Sequence, residues 1–469
     1  MAYTGTSAAI LSNYDEVLKT FYLPAIREQL NHDTILADSI MTNEEDISGK
    51  NATIECHYGR TTGTGARADG GALPEADYQK FKTCTVPMRY NYGRVTFSGP
   101  TIAATRDEKG AYARVVDTEI QGVVRDLQRE MNRQCWGAGY GTLARWRSTG
   151  SGTSYTLQKA YRGNTAGGDG FGSTFGAKYL AENSSAVPVV LTLSSGTTAA
   201  TVDTTNIAVS AIAETNTGTA PFDTITVTDP SVTEAASTFY VRPASMVSLT
   251  SASGAGAGRL EQMGIRGIVT NTNLDDIAFT DGTASNTGFA AASAPTTDSL
   301  QGLDVDTYSW WKSTVDAHSS GRYAGQRGLT FALMQKMFDK VEIIAGKDYG
   351  PDMIMTSHAL RREYLELCQA DRRAVNTMEL DRGWTALDYN GVPLMVDRDA
   401  IDGEMYFLTT KDLQMYRMSD YDWMTKDGAI LSRITGYDAY EAALFIYCEL
   451  GCNRRNSSGV ITDLAYTPT

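Results

Sequence analysis

GFGSTFGAK (170–178) is the nearest approach in this chain to a phosphate-gripping glycine loop, and it puts Ala177 where the phosphate-contacting lysine should stand. A second glycine cluster, GTGARADGG (63–71), does not join a strand to a helix, so it lacks the setting of a dinucleotide fingerprint. Metalloprotease His-Glu-x-x-His and hydrolase Gly-x-Ser-x-Gly patterns are absent. The four histidines, His32, His57, His318 and His358, are scattered and read as surface or loop residues. Cys448 and Cys452 have no second Cys/His pair to complete a zinc site, and buried inert thiols account for them. Glu44-Glu45-Asp46 and Asp304/Asp306 could hold a hard cation, but a solvated acidic face explains them as simply. Trp310 and Trp311 read as packing anchors rather than a platform for stacked bases. No nucleophile, base and orienting group occur together, so catalysis is not expected, and neither a metal nor any other cofactor.

The elements that would carry such groups are more informative than the groups. The chain of 469 residues has a formal charge of −14, which argues against gripping nucleic acid through basic side chains. That charge is unevenly spread: residues 1–178 are net +1, 312–469 are net −5, and 179–311 carry 13 acids, three arginines and no lysine, net −10. Within 191–300, 61 of 110 residues are Ser, Thr, Gly or Ala, with strand-like runs VPVVLTL, NIAVSAI, DTITVTD and TFYVRP between turn residues. This block reads as an inserted β-rich domain rather than a linker. Six irregularly spaced cysteines read as reduced thiols. The N-terminal residues lack the pattern of a secretory signal, and no apolar run approaches the roughly 18 residues of a membrane span, so no membrane contact is expected.

Residues 101–137 read as one long helix, with Val116, Ile120, Val123, Leu127 and Met131 on one face, Thr105/Glu108 as a capping box and Gly137 as a stop. Such a rod is on the order of 45 Å long. Ahead of it, NATIECHYG (51–59) and KFKTCTVPMRYNYGRVTFS (80–98) read as strands flanking a glycine-rich tip. A two-stranded arm of that kind is marginal alone in water and suits lying on another subunit. After the insertion comes an α/β pattern: a helix capped by Thr330 and stopped by Gly346, the strand PDMIMT, a Ser357-capped helix, and turns at Asn390-Gly391 and Asp427-Gly428. MYFLTT (405–410) and LQMYRM (413–418) read as paired strands, while AYEAALFIYCEL (439–450) fits a strand or a buried helix.

In this order the arm, long helix and α/β block resemble the major capsid proteins of tailed bacteriophages with the Hong Kong 97-type fold, an α+β architecture. LQGLDVDTYSWW (300–311), PDMIMTSHALRREYL (351–365), DYNGVPLMVDRDAIDGEMYFLTTKDLQMYR (388–417) and the closing run 427–464 carry the resemblance. It spans about 1–136 and 300–469, with the insertion outside it. The resemblance implies an N-terminal arm (1–47), an E-loop hairpin (48–99), a P domain with its spine helix (100–147), the insertion (148–299), an A domain with a linking segment (300–400), and the A-domain end with return strands of the P domain (401–469). It also implies self-assembly into pentamers and hexamers that enclose double-stranded DNA in a virion head built in the host bacterial cytoplasm. Portal and decoration proteins are further expected partners. Only about 30 residues precede the arm, so scaffolding is expected from a separate protein.

The family's type member cross-links through an E-loop lysine, whereas the tip 59–79 here has none. Non-covalent assembly follows, with Arg60, Arg67, Asp69 and Glu75 available for intersubunit ion pairs. Residues 89–147 hold ten basic and six acidic side chains, so Arg114, Arg125, Arg129 and Arg133 are expected on an inner helix face near packaged DNA, with the acidic insertion facing outwards. The competing reading is a β-rich phage tail or surface-binding protein. Its usual β repeats are not found, and such proteins do not carry an isolated long helix.

Overall fold

A computed structural model describes residues 34–49, 51–100, 111–139, 143–147, 154–158, 190–195, 202–214, 222–227, 238–243, 261–270, 300–303, 307–318, 327–370, 377–379, 385–425 and 430–466. Expectations for the first 33 residues, His32, the Thr105/Glu108 box, the loop 170–178, Asp304/Asp306, the Asp427-Gly428 turn and the Arg114 side chain lie outside the described residues.

The long helix spans Ala111–Trp136. The Val116 side chain lies outside the described residues; further along the stripe Ile120, Val123 and Val124 are half-buried, and Leu127, Met131 and Cys135 are buried, the residues from Val123 on joining one large core. Burying a Leu or Met side chain contributes about 1.5–3 kcal/mol, so the C-terminal half of the helix is held by packing rather than by helix propensity. From Met131 to Trp136 every side chain is buried, so the last turns leave the surface altogether.

One sheet packs beside this helix. Arg89–Ser98 and Leu413–Trp423 pair antiparallel with Ala439–Cys452, Met41–Asn43 joins Leu413–Trp423 in parallel, and Ser432–Arg433 pairs at Glu441 and Tyr440. The stretch 439–452 is therefore a strand. Its even-numbered residues Ala442, Leu444, Ile446 and Cys448 face inwards, a period of two that no helix could satisfy. Asn51–Gly59 and Lys80–Pro87 pair antiparallel, with Ile47–Ser48 alongside Asn51–Gly59.

A second, seven-stranded sheet runs in the order Thr314–Asp316, Gly459–Ile461, Met405–Leu408, Met353–Thr356, Val392–Val396, Thr385–Tyr389 and Thr377–Glu379. Helix Phe331–Ala345 begins where Thr330 Oγ1 accepts the Leu333 N–H at 3.2 Å and ends at Gly346 with φ +91°. Its Met334, Met337 and Val341 share a core with Leu360 and Tyr364 of helix His358–Ala370. Ser357 stands at the cap position, but its buried hydroxyl has no hydrogen-bond partner among the described residues. Its carbonyl instead takes the Arg361 N–H. Tyr389 opposes Val392 across Asn390 (φ 54°) and Gly391 (φ 80°), a tight turn with both central residues left-handed.

The expected pairing of MYFLTT with LQMYRM is corrected. Met405–Leu408 lies between Met353–Thr356 and Gly459–Ile461 in the seven-stranded sheet, whereas Leu413–Trp423 belongs to the other sheet. All four residues of Met405–Leu408 are buried, as suits a central strand covered on both faces.

Six strands, Ala144–Arg147, Ser154–Gln158, Val190–Ser195, Val202–Glu214, Phe222–Val227 and Thr238–Pro243, close into a barrel. Closure removes free sheet edges, which lets a Ser/Thr-rich sequence keep its backbone groups paired.

Candidate functional site

The hairpin 51–87 is rooted and its tip is free. At the root, Ala52, Val86 and Met88 pack with Tyr416, and the Thr85 N–H donates to the Gln301 carbonyl at 2.9 Å. Tyr58 stacks on Trp310 at 4.9 Å, and Lys82 Nζ lies 5.1 Å from the centre of the Tyr308 ring. The tip is shaped by Asp77, whose Oδ2 accepts from Thr62 N (3.0 Å) and Oγ1 (2.8 Å) while Oδ1 accepts from Tyr78 N. Those donors, the Thr62 N–H first among them, lower its pKa to about 2, so the clasp stays ionised in any physiological medium. Beyond it Leu73 is 87% exposed and Tyr78 75%, and Arg60, Arg67, Asp69 and Glu75 are all exposed. Large apolar side chains left in solvent on an extended arm mark a contact surface.

The sheet face carrying Tyr90, Tyr92, Phe445 and Tyr447 is also aromatic. Tyr90 opposes Tyr447 and Tyr92 opposes Phe445 in register, with Tyr90 and Tyr447 edge to face at 5.0 Å. Tyr90 and Tyr92 are exposed on a strand that pairs with Ala439–Cys452 alone. The signal was present in the sequence: in ALFIYC both alternating sets are apolar, which marks a strand that wants cover on both faces.

Arg125 is exposed on the long helix and Arg129 is half-buried. Arg133 is corrected: it is 1% exposed, and its guanidinium bonds the half-buried Glu130 and the buried Glu261, so it presents no charge to any surface. Its last-turn position, one heptad after the exposed Asp126, gave no hint of a buried acid arriving from residue 261.

That acid belongs to the segment 261–270, which composition had assigned to the insertion. Every residue of 261–270 is buried in the main body. Gln262 bonds the Met131 carbonyl (3.1 Å) and Cys135 Sγ (3.2 Å), and Met263 N donates to Glu449 Oε1 at 2.6 Å. Arg89 faces the same carboxylate at 3.3 Å. Arg455 Nε donates to the Ile268 carbonyl at 2.7 Å, and its other nitrogens reach the carbonyls of Trp311 and Thr270. Burial pushes the Arg455 pKa down to about 10, so it remains charged at neutral pH.

The remaining chemical candidates do not converge. His57 is exposed beside Gln79, His358 is exposed, and His318 is half-buried. Glu44, Glu45 and Asp46 are exposed around Asn43, whose Oδ1 accepts from Glu45 N and Asp46 N. Cys448 and Cys452 are buried four apart on one strand. Among the described residues no group of His, Cys, Asp and Glu is placed to hold a metal ion. Trp311 is buried with Nε1 on the Leu300 carbonyl, an anchor as expected. No described helix is long and apolar enough to cross a membrane.

No family model and no curated protein matches the sequence. Solved structures do match. The capsid subunit of Cyanophage A-1(L) superposes with TM-score 0.54 at 12% identity, over 98% of this chain and 100% of that one. The fold is that of a phage capsid subunit. It is α+β, of the Hong Kong 97 type. The capsid of the native GTA particle (TM-score 0.45, 8% identity) and that of Myoviridae Phage XM1 (0.44, 7%) each cover 98% of this chain and 100% of their own. The exposed hairpin tip and the aromatic sheet face are the candidate contact surfaces.

Proposed function

We propose that the protein is the major capsid protein of a tailed bacteriophage, a structural and non-catalytic subunit that self-assembles into pentamers and hexamers enclosing double-stranded DNA. The observation that carries this is the end-to-end superposition on the cyanophage capsid subunit, which leaves neither chain with an unmatched half. Residues 48–99 act as the E-loop, with the 1–47 arm ahead of it, and Ala111–Trp136 as the spine helix of a P domain spanning 100–147. Residues 300–400 form the A domain with its linking segment, and 401–469 end that domain and return to the P domain. The barrel strands are the insertion, which takes in Ala144–Arg147 from the end of the span 100–147, and 261–270 belong to the frame.

Arg60, Arg67, Asp69 and Glu75 at the tip pair with neighbouring copies, and Leu73 and Tyr78 bury on them. The acidic block faces outwards and Arg125 and Arg129 face the DNA, which the shell encloses without sequence-specific contact. Scaffolding, portal and decoration proteins are separate chains, assembly takes place in the host cytoplasm, and the joints are non-covalent. Electron microscopy of the purified full-length chain tests the reading. Shells, tubes or five- and sixfold capsomers support it, and a small soluble oligomer under all assembly conditions refutes it.

A further inference from the structure

Six cysteines are buried in this chain, and two of them stand apart from the rest. Cys56 opposes Lys82 and Cys84 opposes Ile54 in the register of the hairpin, so the two cysteines are diagonal neighbours on one face of the strand pair. Their sulfurs are 3.1 Å apart. A disulfide is about 2.05 Å long, so the two sulfurs have about 1 Å left to close. Cys56 Sγ also lies 3.6 Å from the Asn453 carbonyl, which keeps it pointed into the foot of the hairpin.

The other thiols have no such neighbour. The Gln262 amide stands between Cys135 and Cys448, with its Nε2 on one sulfur and its Oε1 on the other. Cys452 Sγ meets Gln301 Oε1 at 3.2 Å, and Cys368 sits in the separate core beneath helix Phe331–Ala345. Burial pushes Cys448 and Cys452 up to about 12 and raises Cys135 further, which makes these thiols poor nucleophiles.

The close pair is asymmetric. Cys56 retains 8% exposure whereas Cys84 has none. The hydrogen bond shared with Cys84 outweighs burial and, with the Arg454 charge, holds the Cys56 thiol below its ordinary value, and the same contact raises Cys84. One sulfur is thus prepared to attack and the other to resolve.

We propose that Cys56 and Cys84 are a disulfide-forming site at the foot of the hairpin, closed by thiol–disulfide exchange with a small-molecule disulfide. The Cys56 thiolate attacks one sulfur of the oxidant, forming a mixed disulfide and expelling one small thiolate. Cys84 then loses its proton and attacks the Cys56 sulfur, expelling the second. Two protein thiols are oxidised and one small disulfide is reduced to two thiols. The product ties strand Asn51–Gly59 to strand Lys80–Pro87 and fixes the angle at which the exposed tip leaves the body. This site rests on the geometry of the single chain and stands whether or not the chain builds a shell.

The test incubates the folded full-length protein with oxidised glutathione, blocks remaining thiols under denaturing conditions, and maps tryptic peptides without reduction. The expected result is loss of two of the six titratable thiols, with peptide 51–60 linked to peptide 83–89. In Cys84→Ser the expected product is a glutathione adduct retained on Cys56. Retention of all six thiols in the wild type, or a linkage using any other cysteine, overturns the site. A Cys84→Ser protein without the adduct, beside a wild type that cross-links, overturns Cys56 as the attacking sulfur. The wild-type map decides the pair even if the variant does not fold.

Discussion

Arg455 is a buried cation with backbone carbonyls for partners, those of Ile268, Trp311 and Thr270. Arg455→Met keeps the aliphatic bulk but leaves those oxygens unpaired at about 1–3 kcal/mol each, so a loss of at least ~3 kcal/mol is expected in urea unfolding. Asp316 shows the opposite economy. Burial alone would raise its pKa, but contacts from Lys340, Lys336 and Arg327 outweigh it and hold the carboxyl well below the usual range. A carboxyl more acidic in the folded than in the unfolded chain contributes stability that is full above the unfolded value of about 3.9 and is lost progressively as pH falls from there through the lowered folded value. Asp316→Asn is therefore expected to lower the urea midpoint at neutral pH and to flatten its decline between about pH 5 and about pH 3. Asp397 runs the other way: burial, and then the neighbouring Asp399 charge, raise it, although it accepts from the Leu36 and Asp399 N–H groups. Protonating it relieves an unfavourable burial, so its contribution grows as pH falls through its raised value. The helix Ile35–Ser39 it anchors is expected to exchange amide hydrogens more slowly, after correction for intrinsic rates, on mild acidification.

At the scale of elements, the segment 261–270 is held by the close approach of backbone to backbone. A Cβ on Gly264 would collide with the carbonyl oxygens of Gln134, Cys135 and Gly137, none of which is a flexible side-chain end. Gly264→Ala is expected to cost about 3 kcal/mol and to speed hydrogen exchange selectively across 261–270. The turn at Asn390-Gly391 offers a milder case, since open space surrounds Gly391 and only its φ of +80° resists a side chain. Gly391→Ala should cost about 1–2 kcal/mol, read as a lower melting temperature with the fold intact. The turn, the Thr330 cap and the Gly346 stop were legible in the sequence because each depends on a few neighbouring residues. The partner of Met405–Leu408 was not, because the nearest strand in the sequence, Leu413–Trp423, runs into a different sheet after a short turn of helix at Thr410–Asp412.

For the whole molecule, the proposed assembly surfaces should separate from the stabilising core. Reversing charge at the tip with Arg67→Glu and Asp69→Lys alters exposed side chains and should leave unfolding free energy within about 0.5 kcal/mol of wild type. Shell yield in electron micrographs is expected to fall, and unchanged yield would remove these two residues from the interface. The order of hairpin, long helix and α/β block could be read from residue types because hydrophobic period, capping and turn chemistry act over a few residues. Helix and strand identities at Asn51–Gly59, Ala111–Trp136 and Phe331–Ala345 were determined in that way. Tertiary structure alone decided that 261–270 is core despite lying in a polar, acidic block, and that Arg133 is interior despite its place in a basic stretch. It also brought Cys56 to Cys84, and it left the tyrosines of strand Arg89–Ser98 uncovered. Burial and pairing between residues well separated in the chain, 28 apart for Cys56 and Cys84 and 128 for Arg133 and Glu261, depend on which surfaces meet, and local composition carries no information about such a partner.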